Sequence, residues 1–348
     1  MPDRADPAIA AADLRVSLNE NTGGCSAGAL DAIRAVGARQ IAMYPDYEEV
    51  TRACASRFGV PPDWLVLTNG LDDGIRTTVF ASLHAGVESA DAVIVEPAFE
   101  VYAVYAEAAG GRVVGVPPRR DFAFPEAEVR AALSSRTRLV FVTNPNNPTG
   151  QRVPRPAIRR ILQDAPGAVM LLDEAYAEFA GETFLDELAQ YPNLIIGRTF
   201  AKAYGLAGLR IGALIAAPQT LERIRRITPR FSVNAAAVAA LPAALADRAH
   251  VQRYIRETAL SREILYSACE RLGIEFWPSA ANFVLIRAGS RFASLVDGLK
   301  ARGIRVNDRP CLPWRPDCIR ITTGLIEHTR RIVAAMHEIV GATKSLNP

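Results

Sequence analysis

Thr199-Phe200-Ala201-Lys202-Ala203-Tyr204-Gly205-Leu206-Ala207-Gly208-Leu209-Arg210 is the stretch from which the rest of the chain can be read. The apolar run Leu194 to Ile196 before it reads as a buried strand. Lys202 therefore falls in a loop just past a strand end, where α/β proteins gather their ligand-binding groups. A lysine is costly to bury unless it is paired or covalently used. One covalent use is a Schiff base with a carbonyl cofactor such as pyridoxal phosphate, whose phosphate Arg210 could then reach. A surface lysine in a loop fits this stretch, taken alone, equally well.

The chain has 348 residues, room for one large or two medium domains, and 49% of them are hydrophobic, so a sizeable core is available. Forty basic and 37 acidic side chains leave a net charge of +3, too balanced to imply nucleic acid or an anionic membrane as partner. The five cysteines, Cys25, Cys54, Cys269, Cys311 and Cys318, are odd in number and form no C-x-x-C pair. Reduced thiols in a cytoplasmic protein are the simplest reading. Met1 to Asp13 lacks the apolar core of a signal peptide, and no apolar run reaches the length of a membrane span.

Outward from the lysine loop, strands alternate with helices. Leu14 to Leu18 is a short apolar segment leading into Asn19-Glu20-Asn21. Ser26 can cap a helix running to about Gln40, with Leu30, Ile33 and Val36 facing inward. Tyr44-Pro45-Asp46 breaks the pattern, because proline disfavours helical geometry at Tyr44; periodicity alone makes Tyr44 a partly exposed turn residue. A helix over Glu48–Phe58 and a strand over Leu65–Leu67 follow. Asn69-Gly70-Leu71-Asp72 then opens a helix that runs to about Leu83. Strand, glycine turn and helix N-terminus offer free backbone N–H groups to a phosphate. Further strands are expected over Ala92–Val95, Arg112–Val116, Leu139–Thr143, Ala168–Leu172 and Ile211–Ala216. Asn144-Pro145-Asn146-Asn147-Pro148-Thr149-Gly150 is a rigid turn with three side-chain amides. Asp173 ends an apolar strand, so its carboxylate needs a partner. A long helix from about Arg248 to Leu272 leads to strands at Asn282–Ile286, Ile304–Asn307 and Cys318–Thr322, and a terminal helix from about Glu327. Alternation alone puts Arg320 on an exposed strand face. The pattern predicts an α/β fold with a mostly parallel sheet covered by helices and polar clusters at its strand ends.

These residues, in this order, resemble a family. Leu18-Asn19-Glu20-Asn21, Tyr44-Pro45-Asp46, Asn69-Gly70-x-Asp72, the Asn144–Gly150 turn, Asp173-Glu174-Ala175-Tyr176, Lys202 with Arg210, Ala281-Asn282-Phe283 and Arg320 resemble the fold-type-I pyridoxal-phosphate aminotransferases, most closely the histidinol-phosphate aminotransferase group. The similarity spans about residues 16 to 340. It implies an aspartate-aminotransferase-like fold: an arm over 1–40 shared with the small domain, a large cofactor-binding domain over 41–247, and a small α/β domain over 248–348. It implies that Lys202 carries the cofactor and moves the proton, and that Asp173 pairs with the cationic ring nitrogen. Tyr176 and Asn147 match the pair that bonds the ring hydroxyl oxygen, and Phe99 the stacking aromatic. Gly70, the amides of Leu71 and Asp72, Thr199 and Arg210 match the phosphate cradle. Tyr44 matches a tyrosine that reaches the neighbouring subunit's phosphate, which implies a homodimer with shared sites. Asn21 and Arg320 match substrate-binding positions, the arginine gripping an anionic end. The activity implied is amino transfer from an L-amino acid or histidinol phosphate to a 2-oxo acid, as in amino-acid biosynthesis.

Three positions depart from the family's pattern. Ala201 stands where a serine usually donates to the cofactor phosphate. Thr22-Gly23-Gly24 stands where Pro-Tyr-Gly usually helps hold the substrate phosphate, and Asn307 stands where a second phosphate-binding arginine is usual. Arg305 or Arg309, each two residues from Asn307 on the same strand face, could compensate. The departures bear on histidinol phosphate as substrate and leave the cofactor chemistry untouched. Two other readings share these motifs: a lyase such as a threonine-phosphate decarboxylase, and a non-catalytic binding protein on the same fold. Retention of the lysine, aspartate and arginine argues against the latter.

Overall fold

The computed structural model describes residues 13–83, 90–308 and 315–345. Its strands are β1 (Leu14–Val16), β2 (Leu65–Thr68), β3 (Asp91–Val95), β4 (Arg112–Val116), β5 (Thr137–Thr143), β6 (Val169–Asp173), β7 (Leu194–Thr199), β8 (Gly212–Ala216), β9 (Glu275–Trp277), β10 (Phe283–Arg287), β11 (Ile304–Val306) and β12 (Cys318–Thr322). Seven form one sheet in the order β2-β8-β7-β6-β5-β3-β4. From β7 across to β4 every pairing is parallel; β8 is antiparallel to both β7 and β2. One reversed strand in seven leaves β2 running with β7, so six strand ends open on one edge.

The central strands read as near-continuous apolar runs because helices cover both faces. The residues of β8 are buried throughout, and β7 is buried even at Arg198 and Thr199. Tyr102, Phe141, Phe184 and Phe200 are among the largest side chains wholly inside this core. Burying a side chain of that size contributes about 1.5–3 kcal/mol each. A second core gathers Leu14 and Val16 of β1 with Val284, Ile286, Ile319, Ile321 and Met336. It lies around the sheet β12-β10-β9 and the parallel pair β1-β11. The helix Arg248–Leu272 joins the two, lending Val251 and Tyr254 to the first core and Leu265 and Cys269 to the second.

Two expectations need correction. The helix capped by Ser26 stops at Arg34, and a separate short helix, Ala38–Ala42, begins after Gly37. Glycine's helix penalty and its extended backbone there explain the break. Ala29, not Leu30, is the buried residue of the first helix; Leu30 is exposed. Arg320 is not on an exposed face: β12 pairs with β10 at Leu285 on one side, and with Asn307 in a backbone bridge on the other. The Arg320 side chain is covered by the Ser17 carbonyl, Asn147 and the Phe283 ring, and the residue is 7% exposed. Among the described residues no helix is long and apolar enough to cross a membrane.

Candidate active site

The sheet register lines up the polar residues at the open edge. Thr143, Asp173 and Gly197 lie side by side on β5, β6 and β7. Thr199 and Thr68 both face Gly212, the first residue of β8. Gly70 follows β2 with φ +78°, a conformation that suits glycine, and a Cβ there would lie 2.7 Å from the Arg210 guanidinium. The helix Leu71–Leu83 starts at that point, so its first N–H groups and Arg210 share one location. Arg210 also pairs with Asp72 at 2.9 Å, an exposed contact of small energetic weight. Thr199 accepts from the Ala201 N–H at 3.2 Å.

Asp173 is buried. Its Oδ2 accepts from the Tyr102 hydroxyl at 2.6 Å and its Oδ1 from the Ala175 N–H at 2.9 Å. Burial dominates these bonds and pushes the carboxyl up to about 6. Tyr102 is wholly inside the core, stacked on Phe141 at 4.5 Å, with its oxygen 3.0 Å from Thr143 Oγ1. Phe99 meets Tyr102 edge-on at 5.9 Å. Next to Asp173, Glu174 forms a buried ion pair with Arg198 at 2.8 Å, and Arg198 also bonds Glu178. This pairing secures β6 to β7 directly beneath Asp173 and Thr199.

Three consecutive residues of the N-terminal segment close the site. The carbonyl of Ser17 accepts from Arg320 at 2.7 Å. The carbonyl of Leu18 accepts from Lys202 Nζ at 2.8 Å. The side chain of Asn19 donates to the Tyr176 hydroxyl at 2.9 Å. Arg320 also donates to Asn147 Oδ1 and lies over the Phe283 ring. Lys202 makes no ion pair among the described residues. Burial, and then the charge of Arg320, bring its amine down to about 8. Such an amine is partly neutral near physiological pH and so nucleophilic. The lysine loop passes so close to the N-terminal segment that a Cβ on Gly205, at φ +73°, would stand 2.4 Å from the Gly24 carbonyl oxygen. Beside it opens a cleft of about 480 Å³, lined by Arg15, Glu20, Asn21, Ala201, Gly205 and His328 among others.

Of the residues singled out in the sequence, Asp173, Tyr176, Asn147, Lys202 and Arg320 thus converge, and Gly70, Leu71, Asp72, Thr199 and Arg210 cluster at the neighbouring strand ends. Asn21 is turned to the backbone, donating to the Ala203 carbonyl at 3.1 Å and accepting from Gly23 N–H at 2.8 Å. Tyr44 stands 77% exposed, stacked on Phe231 at 4.3 Å. Arg305 is taken by Asp13, 2.7 Å away; Arg309 lies outside the described residues. Sequence reasoning missed Tyr102 and the inward turn of the Asn19 amide. Tyr102 reads only as one residue of a helix near Phe99. Asn19 was visible as part of the Asn-Glu-Asn run, with nothing local to show which amide turns inward.

The model of the family described as aminotransferase class I and II matches residues 13–336, and the chain belongs to that family. It is 38% identical over 334 residues to histidinol-phosphate aminotransferase 1 of Cupriavidus pinatubonensis, covering 93% of this chain and 87% of that protein. It is likewise 38% identical over 340 residues to histidinol-phosphate aminotransferase of Symbiobacterium thermophilum, covering 94% and 91%. Histidinol-phosphate aminotransferase from Sinorhizobium meliloti, crystallised in complex with pyridoxal-5'-phosphate, matches the structure with a TM-score of 0.85 at 29% identity, covering 95% of this chain and 91% of that one. The fold is that of the aspartate aminotransferases, and the protein is a pyridoxal-phosphate-dependent aminotransferase.

The site suits that cofactor on its own chemistry. Among the described residues Asp173 is a buried carboxylate with no ion-pair partner, Lys202 a part-buried amine bonded only to a carbonyl, and the Gly70 turn leaves a helix N-terminus open next to Arg210. A group carrying a cationic ring nitrogen, a carbonyl and a phosphate complements all three.

The raised carboxyl of Asp173 has a consequence for the cofactor-free protein. A folded-state value of about 6 against 3.8 means that the native state binds this proton more tightly than the unfolded chain does. The group therefore costs stability as pH rises through that window, on the order of 3 kcal/mol when fully ionised. Asp173→Asn is expected to raise the melting temperature of the apoprotein at pH 8, with the gain vanishing below about pH 4. Thermal unfolding of both apoproteins across pH checks this; a loss of stability at pH 8 would contradict it.

Proposed function

We propose that Lys202 is the residue that carries the cofactor and shuttles the substrate's α-proton, and that the enzyme moves an amino group from an L-amino acid or an amino-alcohol phosphate to a 2-oxo acid. The observation that carries this reading is the convergence of Lys202 with Arg320, Tyr176 and Asn147 under the Ser17–Asn19 segment. When bound, pyridoxal phosphate supplies an electron sink for the carbanion left by loss of that proton. Asp173 would hold the ring nitrogen and keep it protonated, Tyr176 and Asn147 the ring oxygen, and Phe99 the ring face. The N–H groups of Leu71 and Asp72, with Thr199 and Arg210, would hold the phosphate. Arg320 would take the substrate's carboxylate bidentately. Lys202, Lys300 and Lys344 are the chain's lysines. Borohydride reduction of the loaded enzyme followed by peptide mapping is expected to place the cofactor on Lys202, and Lys202→Ala to end turnover with the fold retained. Label on Lys300 or Lys344 would sink the assignment.

For the donor, two observations favour a carboxylate over a phosphate monoester. Asn307 brings no charge beside Arg320, and Arg305 is occupied by Asp13. A phosphate monoester carries nearly two charges and three acceptor oxygens, which one arginine satisfies poorly. Each charge-assisted hydrogen bond left unmade is worth roughly 1.5–3 kcal/mol, so two missing bonds amount to about a hundredfold or more in specificity. Ordinary L-amino acids are therefore expected to rival or outperform histidinol phosphate in kcat/KM. A half-reaction screen over single amino acids and histidinol phosphate, followed by kcat/KM for those that react, decides. An advantage of about a thousandfold for histidinol phosphate would show that other groups compensate.

The working form we propose is a cytoplasmic homodimer with shared sites. Ile41, Met43, Tyr44 and Phe231 are 71%, 63%, 77% and 47% exposed, an apolar strip that a second copy would cover. The four described cysteines are all free, which supports a reducing compartment. Mixing inactive Lys202→Ala subunits with inactive Tyr44→Ala subunits is expected to restore part of the activity through hybrid dimers. A fully active monomer in sedimentation experiments would exclude the shared site.

A further inference from the structure

Asn19 is 1% exposed and every polar group it owns is committed. Its N–H donates to Thr322 Oγ1 at 3.0 Å, and its carbonyl accepts from Asn282 Nδ2 at 3.0 Å. Its Oδ1 accepts from the Thr322 hydroxyl at 3.2 Å, and its Nδ2 donates to the Tyr176 hydroxyl at 2.9 Å. The amide is oriented with its oxygen towards the Thr322 hydroxyl, which donates to it, and its NH₂ towards Tyr176. The phenol is thereby fixed as an acceptor towards Asn19. It has one proton of its own, which is left to point at whatever acceptor lies in the site. The Tyr176 ring is held edge-on to Phe283 at 5.1 Å, so the proton's direction is the one remaining freedom.

We propose that Asn19 is a positioning residue that aims the Tyr176 hydroxyl proton into the active site, acting on the reaction through Tyr176 alone. The inference rests on the reading that Tyr176 donates to an oxygen of the cofactor. Asn19 has φ 55°, in the left-handed region where asparagine, aspartate and glycine are the tolerated residues. This gives two informative substitutions. Asn19→Asp keeps size and backbone but turns a donor into an acceptor, drawing the Tyr176 proton away from the site. Asn19→Gly keeps the backbone and removes the bond without offering a new acceptor.

The test is a double-mutant cycle with Tyr176→Phe on the cofactor-loaded enzyme. Two quantities are read: the Kd for pyridoxal phosphate, by fluorescence titration of the apoprotein, and the midpoint of the pH titration of the cofactor's visible absorption. Melting temperature is followed in parallel. Asn19→Asp is expected to weaken pyridoxal phosphate binding about tenfold or more and to move the midpoint, with Asn19→Gly intermediate. In the Tyr176→Phe background both Asn19 substitutions are expected to have little further effect on either quantity. Equal effects of Asn19 substitution with and without the Tyr176 hydroxyl would overturn the proposal and make Asn19 merely structural. If Tyr176→Phe alone changes neither quantity, it is instead the role given to Tyr176 that fails. If Asn19→Asp does not fold, the cycle is completed with Asn19→Gly and the same two outcomes decide.

Discussion

Arg320, Lys202 and Tyr176 are separated by long stretches of chain, yet each is held by one of three successive residues, Ser17, Leu18 and Asn19. The partners lie 303, 184 and 157 residues away in sequence. Such contacts carry the highest loop-closure cost and form only on a scaffold that has already brought the elements together. The seven-stranded sheet supplies Tyr176 and Lys202. The sheet β12-β10-β9 supplies Arg320, and the parallel pairing of β1 with β11 delivers the strap itself. Loosening the strap would free all three groups at once.

The second organising feature is where charge is buried. Arg198 is neutralised by Glu174 and Glu178, an arrangement that satisfies each charge locally. Asp173 and Lys202, a few residues away, form no ion pair among the described residues, and burial moves both towards neutrality, the acid upwards and the amine downwards. Asp173 and Lys202 are thus left for a bound group to complete. The stability that Asp173 costs the empty protein becomes affinity for a cation placed beside it.

In the cleft beside the lysine loop the balance differs. Arg15 and Arg331 line it and both are engaged, Arg15 with Glu20 and Arg331 with the carbonyls of Arg302 and Gly303, while its Asp13 holds Arg305. Arg320 itself bonds Asn147 and Ser17. An anion entering this cleft would have to displace one of these bonds to meet an arginine.

Much of this was legible in the chain before any fold was known. The apolar runs Leu139–Val142, Val169–Leu172 and Leu194–Ile196 read as buried strands because only helices on both faces can shield such runs. Asp173 and Lys202 were recognisable because charged residues at the ends of those runs demand partners. The ordered motifs then pointed to the family. Local patterning could not show what depends on contacts between distant segments. Arg320 sits in an alternating strand that reads as half exposed, and only the distant Ser17, Asn147 and Phe283 packed against its side chain bury it. Tyr102 looks like any helical tyrosine until its ring stacks on Phe141 of β5 and its hydroxyl meets Asp173 of β6. Asn19 and Asn21 are equivalent in sequence; the left-handed turn at Asn19 sends one amide inward and leaves the other on the backbone. The sequence by itself determined which residues could do chemistry, because residue type and strand-end position are local properties. Which of them meet, and in what protonation state, was decided by the tertiary structure, because burial and hydrogen-bond partners come from segments far apart in the chain.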